Sequence, residues 1–174
     1  IRDYGTYGNN ATLGGGTVGY APNWNNSGII GGAYVFDGTD DYINIPDSPS
    51  LDITGDITIS AWILHETTSY DAWEAIIAKG DTTYRIHLCG DTGYCPGGVL
   101  NAIAFGVDGP SGSGPSSTIV PDHHVWYHVV GTYDGTNNKL YVNGTLVASF
   151  SMASNSFRNS AEGRVEKTDW FRVT

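Results

Sequence analysis

Apolar and polar positions along this chain alternate with a period of two, and no stretch holds the 3.6-residue period of an amphipathic helix. The clearest run is 56–64, DITISAWIL, where Ile57, Ile59, Ala61 and Ile63 alternate with Thr58, Ser60, Trp62 and Leu64. Its second face turns apolar at Trp62, so both faces are covered toward its end, as in the middle of a two-layer sandwich. Strands are also predicted over 75–79 and 84–88, joined by Gly80-Asp81-Thr82-Thr83, and over 99–107 and 125–133. The stretch 108–117, DGPSGSGPSS, reads as a flexible loop. Asn143-Gly144 is the strongest two-residue hairpin signal, between predicted strands 139–142 and 145–151.

The stretch 31–46, GGAYVFDGTDDYINIP, reads as another hairpin: β-branched and aromatic runs flank a polar turn with three carboxylates, Asp37, Asp40 and Asp41, around Gly38. Such close like charges repel unless water or a cation screens them. Residues 1–30 read as short strands separated by turns, and the last 14 residues, AEGRVEKTDWFRVT, end as a strand. About a dozen short strands with turn signals every 8 to 12 residues define an all-β sandwich or barrel. There is no repeat of fixed period to suggest a propeller or solenoid.

Length and composition narrow the setting. A chain of 174 residues is expected to form a single domain over 1–174 with a core of its own. A net charge of -10 with only 8 Lys and Arg argues against nucleic acid and anionic membrane surfaces, and suits divalent cations and neutral ligands. No apolar run approaches transmembrane length, so no membrane insertion of this segment is expected. The chain begins with Ile and is expected to be a processed product or a piece of something longer. Cys89 and Cys95, in LCGDTGYCPGG, are expected to form a disulfide closing a short loop, which implies an extracellular, secreted or cell-surface location; two free thiols are the alternative. Sequons at Asn10, Asn25 and Asn143 are compatible with that setting.

Five patches, in order, carry a resemblance: Phe36-Asp37-Gly38, Asp41-Tyr42, Ile59-Ser60-Ala61-Trp62, Trp126-Tyr127-His128-Val129 and Tyr141-Val142-Asn143-Gly144. Together they resemble the laminin G-like modules of the concanavalin A-like lectin/glucanase superfamily. The resemblance implies a jelly roll of two antiparallel sheets, with first and last strands side by side. It also implies a structural Ca²⁺ tying the termini together, for which Asp169 of the closing strand, Asp3 and the Gly32 region are the expected ligands. Asp37 and Asp41 are a second candidate pair, with a solvated turn as the other reading.

Catalysis finds little support. The superfamily's glucanases place their carboxylates on one strand as Glu-x-Asp-x-(x)-Glu, and the four Glu here, at 66, 74, 162 and 166, form no such pattern. Glu162 and Glu166 lack the Asp between them. His123 and His124 are expected to begin a strand, with His124 and His128 about 13 Å apart, too far to share an ion. Trp62, Trp126 and Trp170 are expected in the core. Trp24, Tyr70, Trp73 and Tyr94 fall in predicted loops, where their rings suit either sugar stacking or an assembly interface. The chain is therefore read as a non-catalytic module for a glycan or a cell-surface protein, with identical copies in a filament or surface assembly as the alternative.

Overall fold

In a computed structural model the described residues are 1–66, 73–80, 83–91, 95, 99–107, 114–151, 163–165 and 171–173, the last two segments as backbone only. Among them run β1 (Thr12–Leu13), β2 (Asn23–Asn25), β3 (Ala33–Val35), β4 (Ile43–Ile45), β5 (Ile57–His65), β6 (Ala75–Ala78) and β7 (Tyr84–Leu88). There follow β8 (Ile103–Val107), β9 (Trp126–Tyr133), β10 (Asn137–Val142), β11 (Thr145–Ser151), β12 (Gly163–Val165) and β13 (Phe171–Val173). The only helical elements among the described residues are single 3₁₀ turns at Gly14–Gly16, Val18–Tyr20 and Pro49–Leu51.

Every pairing between these strands is antiparallel. One sheet has six strands in the order β1-β4-β12-β6-β7-β8, the other seven in the order β11-β10-β9-β5-β13-β3-β2. The period of two sorts each strand into an inner and an outer face. Ile57, Ala61 and Ile63 of β5, Tyr127, Val129 and Tyr133 of β9 and Leu140 and Val142 of β10 meet Ile86, Leu88, Ile103 and Phe105 of the opposite sheet in one core. At Gly131 an added Cβ would lie inside the Phe105 ring, so a side chain there is excluded by the facing sheet. Lys79 is buried after β6, where its ammonium ion bonds both Asp47 and Asp52 and so fastens the 3₁₀ turn at Pro49–Leu51 to the sheet.

Several expectations are corrected here. The stretch 31–46 is not a hairpin: β3 pairs with β2 and β13, β4 with β1 and β12, and residues 36–42 carry the chain from one sheet to the other. Phe36 and Ile43, at the two ends of the crossing, are buried in the same core from opposite layers, which a hairpin within one sheet would not allow. The closing strand β13 lies between β3 and β5, whereas β1 belongs to the other sheet, so first and last strands are not neighbours. The strand predicted from Val99 starts at Ile103, because Asn101 takes a left-handed φ of 63° that ends extended pairing.

The described end of the 108–117 stretch is paired and not a free loop. Phe105 N–H donates to Pro115 O, Ser117 N–H to Ile103 O and Ile103 N–H to Ile119 O, so 115–119 covers the edge of β8. His123 makes an isolated bridge to His65 and His124 lies in a turn with a φ of 60°, so neither begins β9, which starts at Trp126. Trp62 and Trp126 are half-buried on the outer face of the seven-stranded sheet and not in the core, because they alternate with the inward-facing Ala61, Ile63 and Tyr127. Trp170 lies outside the described residues.

Candidate functional site

The crossing segment gathers the carboxylates. Asp37 Oδ1 accepts from the N–H groups of Thr39 (2.9 Å) and Asp40 (3.3 Å), and Asp41 Oδ2 accepts from Asp37 N–H (2.9 Å). These bonds fold the segment so that one oxygen each from Asp37, Asp40 and Asp41 lies within 4.8 Å of the others. Burial, with the neighbouring charges of Asp37 and Asp40, pushes the Asp41 carboxyl above its ordinary range against the pull of the Asp37 N–H. Partial burial raises Asp37 too, but the N–H groups of Thr39, Asp40 and Asp41 outweigh it and hold Asp37 low. A set of hard oxygens with unrelieved repulsion fits Ca²⁺ chemistry.

Asp3 is bonded within its own loop. Its two carboxylate oxygens accept from the N–H groups of Gly5 (2.6 Å) and Asn9 (2.7 Å), and its own N–H donates to Asn10 Oδ1 (2.9 Å). Those bonds hold Asp3 below its ordinary pKa and organise its own loop; Asp3 is not part of the three-carboxylate group. Gly32 lies against the Trp24 indole, where an added Cβ would meet the ring and the Asn25 carbonyl oxygen. Asp169 lies outside the described residues.

Trp24 sits on β2, the edge strand of the seven-stranded sheet, opposite Tyr34. The two rings meet edge to face with centroids 5.0 Å apart, and the indole Nε1–H donates to Asn26 Oδ1 (2.9 Å). Although fixed by Gly32, Tyr34 and Asn26, the indole side chain belongs to a residue 57% exposed. Eight of the twelve exposed large hydrophobics among the described residues fall within residues 1–30, including Tyr4, Tyr7, Val18, Tyr20 and Ile30.

Trp24, predicted in a loop, thus proves to lie on β2; of the other aromatics predicted in loops, Tyr70 and Tyr94 fall outside the described residues. Trp73 is half-buried on the outer side of the six-stranded sheet against Cys89, Cys95 and Ala104. Cys89 and Cys95 form the expected disulfide, with Cα atoms 6.1 Å apart. The Arg85 guanidinium lies 5.3 Å from the Trp73 ring centroid, and the buried His87 ring lies 5.7 Å from it. Trp73 thus covers β7 as part of a second small core, and much of its surface is already spent.

Two groupings escaped the sequence reading. On the outer face of the seven-stranded sheet Trp62 stacks on His128 (4.9 Å, 26°), and His128 Nε2 bonds Ser60 Oγ (2.8 Å). At the end of β5, His65 bridges His123 (Nδ1 to Nδ1, 3.2 Å) and the buried Glu74 (Nε2 to Oε2, 3.2 Å). His124 N–H donates to His65 O (2.8 Å), so this chain of polar groups straps the turn before β9 to β5. The first follows from register, which sets Trp62 directly opposite His128 and Ser60 on the diagonal, and register is not a local signal; the second joins residues 58 apart and leaves no local signal either.

The fold is a concanavalin A-like β-sandwich, with an exposed tryptophan on an edge strand. The Laminin_G_3 family of the concanavalin A-like lectin/glucanases superfamily matches residues 37–165, well over half of the chain, and the chain belongs to that family. No curated protein matches the sequence. Among solved structures, the chain resembles the botulinum neurotoxin serotype C1 binding domain, with a TM-score of 0.66 and 15% identity over 97% of this chain and 42% of that one. It resembles likewise botulinum neurotoxin type C, whose cell entry is dependent upon interaction with two ganglioside molecules (TM-score 0.69, 16% identity, 99% and 42% covered). A third is the binding domain of botulinum neurotoxin DC in complex with rat synaptotagmin II (TM-score 0.67, 15% identity, 99% and 43% covered). At such identities the likeness establishes the fold alone, and the chain spans less than half the length of each neighbour.

Proposed function

We propose that this chain is a non-catalytic, extracellular recognition module that binds a glycan or a cell-surface protein. The observation that carries the reading is the concentration of exposed aromatic and aliphatic side chains in residues 1–30, on turns and an edge strand seated on a rigid sandwich. The partners of the structural neighbours, gangliosides for one and synaptotagmin II for another, support it. The test is binding of the monomeric protein to a glycan array and to a panel of extracellular proteins, run beside an assay for reducing ends on a β-glucan panel. Capture without bond cleavage is expected; release of reducing ends would replace recognition with hydrolysis.

Calcium belongs to the same reading, held by Asp37, Asp40 and Asp41, where it would offset the burial and the neighbouring negative charges that raise Asp41. Calcium is expected to raise the melting temperature and a chelator to lower it. Asp41→Asn retains an oxygen to accept the Asp37 N–H, so it is expected to match or exceed the wild type in chelator while losing the calcium response. A wild type indifferent to chelator would remove the ion.

One observation favours an assembly subunit as the second reading. The edge strand β11 is seven residues long and carries Leu146 and Phe150 exposed, a surface on which another strand could pair. Ordered, concentration-dependent association abolished by Leu146→Lys would favour it.

A further inference from the structure

We infer that the edge around Trp24 is a binding site for an uncharged, pyranose-based oligosaccharide. The inference rests on the recognition reading above and names its ligand class. Three observations converge on it.

The first is charge. Residues 4–36 contain no Asp, Glu, Lys or Arg, although the whole chain carries 26 such residues and a net charge of -10. An anionic sugar would meet an overall negative molecule with no cation supplied by this segment, and a cationic partner would find no carboxylate within the segment itself, the first being Asp37 in the crossing that follows β3. A neutral ligand pays neither penalty.

The second is the seating of Trp24. An indole held by the edge-to-face Tyr34 ring, the Asn26 hydrogen bond and the cradle left at Gly32 has lost its rotational freedom before any ligand arrives, yet the residue stays 57% exposed. A plug for the open edge of the sandwich would be covered. A fixed, exposed aromatic face offers the C–H face of a pyranose ring a stacking surface at little entropic cost.

The third is what surrounds the ring. Asn23 and Asn26 are exposed, and Asn26 accepts the indole N–H through Oδ1 and so keeps its two amide donors. Among the described residues β2 pairs with β3 alone, which leaves its outer side as the edge of the sheet. Neutral amides and edge backbone groups suit sugar hydroxyls, which both donate and accept. Rigid Tyr and Trp with adaptable Asn, Ser and Gly is also the composition of contact loops in binding proteins.

Affinity electrophoresis in gels containing galactomannan, xylan or mixed-linkage β-glucan tests the site, with titration calorimetry against sialyllactose and heparin as the anionic arm. The wild type is expected to be retarded by at least one neutral polymer and to ignore both anions. Trp24→Ala is expected to weaken that binding by roughly tenfold or more. Gly32→Ala, which displaces the indole without removing it, should also weaken binding, and Trp62→Ala should not. Neutral-polymer binding unchanged in Trp24→Ala would overturn the location while the recognition reading stands. Binding confined to sialyllactose or heparin would overturn the ligand class and leave recognition intact. A wild type that binds none of the five probes would overturn the inference, and a dimer dissolved by Trp24→Ala would then assign this edge to a second copy of the chain.

Discussion

His87 makes the stability of this protein depend on pH over the range between the titration of its unfolded and folded forms. It alternates with the inward-facing Ile86 and Leu88 on β7, so its ring points to the outer side of the six-stranded sheet, where the Trp73 ring lies 5.7 Å away. The residue is 5% exposed, and its buried Nδ1 finds no hydrogen-bond partner among the described residues. Burial, with the Arg85 charge beside it, lowers its pKa from 6.5 to about 3. The unfolded chain therefore takes up a proton near pH 6.5 that the folded chain refuses. Stability is fully present above pH 6.5 and falls by about 1.4 kcal/mol per pH unit as pH drops toward 3. Between pH 7 and pH 5 the loss is about 2 kcal/mol, or about 4–8 °C in melting temperature for a chain of this size. The carboxylates held low, Asp3, Asp37 and Asp134, titrate below their ordinary 3.8 and contribute little in that interval. Urea unfolding at pH 7, 6 and 5 reads the effect, and His87→Leu, which needs no proton and no partner for Nδ1, is expected to flatten it. An equal loss in both proteins, or a native His87 ring that protonates near pH 6.5 by NMR, would refute the reasoning.

Two further expectations concern the sandwich itself. Lys79→Met keeps the apolar stem but strands Asp47 and Asp52; since Asp47 is half exposed, the full cost of breaking a buried pair is discounted to about 2 kcal/mol, read as a fall of about 4–8 °C in melting temperature. Burial lowers the Lys79 pKa, but its hydrogen bonds to Asp52 and Asp47 outweigh this and raise it above 10.5, so its contribution should be constant at neutral pH and fade only above that value. Gly131→Ala is expected to cost about 1–3 kcal/mol by forcing the Phe105 ring aside, and Phe105→Leu in the same chain should recover part of that loss; additive costs in a double-mutant cycle would show that the two positions do not touch.

The sandwich was legible in the sequence wherever one face of a strand is wet. β9 and β10 follow their alternation along their whole length and β5 as far as Ile63, and Asn143-Gly144, with φ values of 50° and 77°, makes the tight turn its dipeptide signals. The reading failed where local pattern is blind to layer. Two apolar runs around a polar turn look alike whether they pair or pass to opposite sheets, and 31–46 does the second. It failed again at Trp62 and Trp126, since size and hydrophobicity pointed to the core while parity placed them outside. The carboxylate group was visible as spacing, including Asp40 beside Asp37 and Asp41. The seat of Trp24 was not, because Gly32 and Tyr34 come from the next strand and their register is a tertiary fact.

Those failures share a location. The inner faces, where volume and burial decide the residue, obey the alternation, while departures from it lie on outer faces, at the crossing and along an edge. A half-buried Trp62 stacked on His128 and a seated but exposed Trp24 are not needed to fill the space between the sheets, which Ile63, Phe105, Leu140 and their neighbours already occupy. Natural sequences hold such locally unfavourable choices chiefly where contact with something else offsets them. The proposed binding edge is therefore separable from the scaffold: Trp24 rests on Tyr34 at the rim of the core, whereas an exchange at Gly131 or Lys79 strains the scaffold and leaves residues 1–30 chemically unchanged.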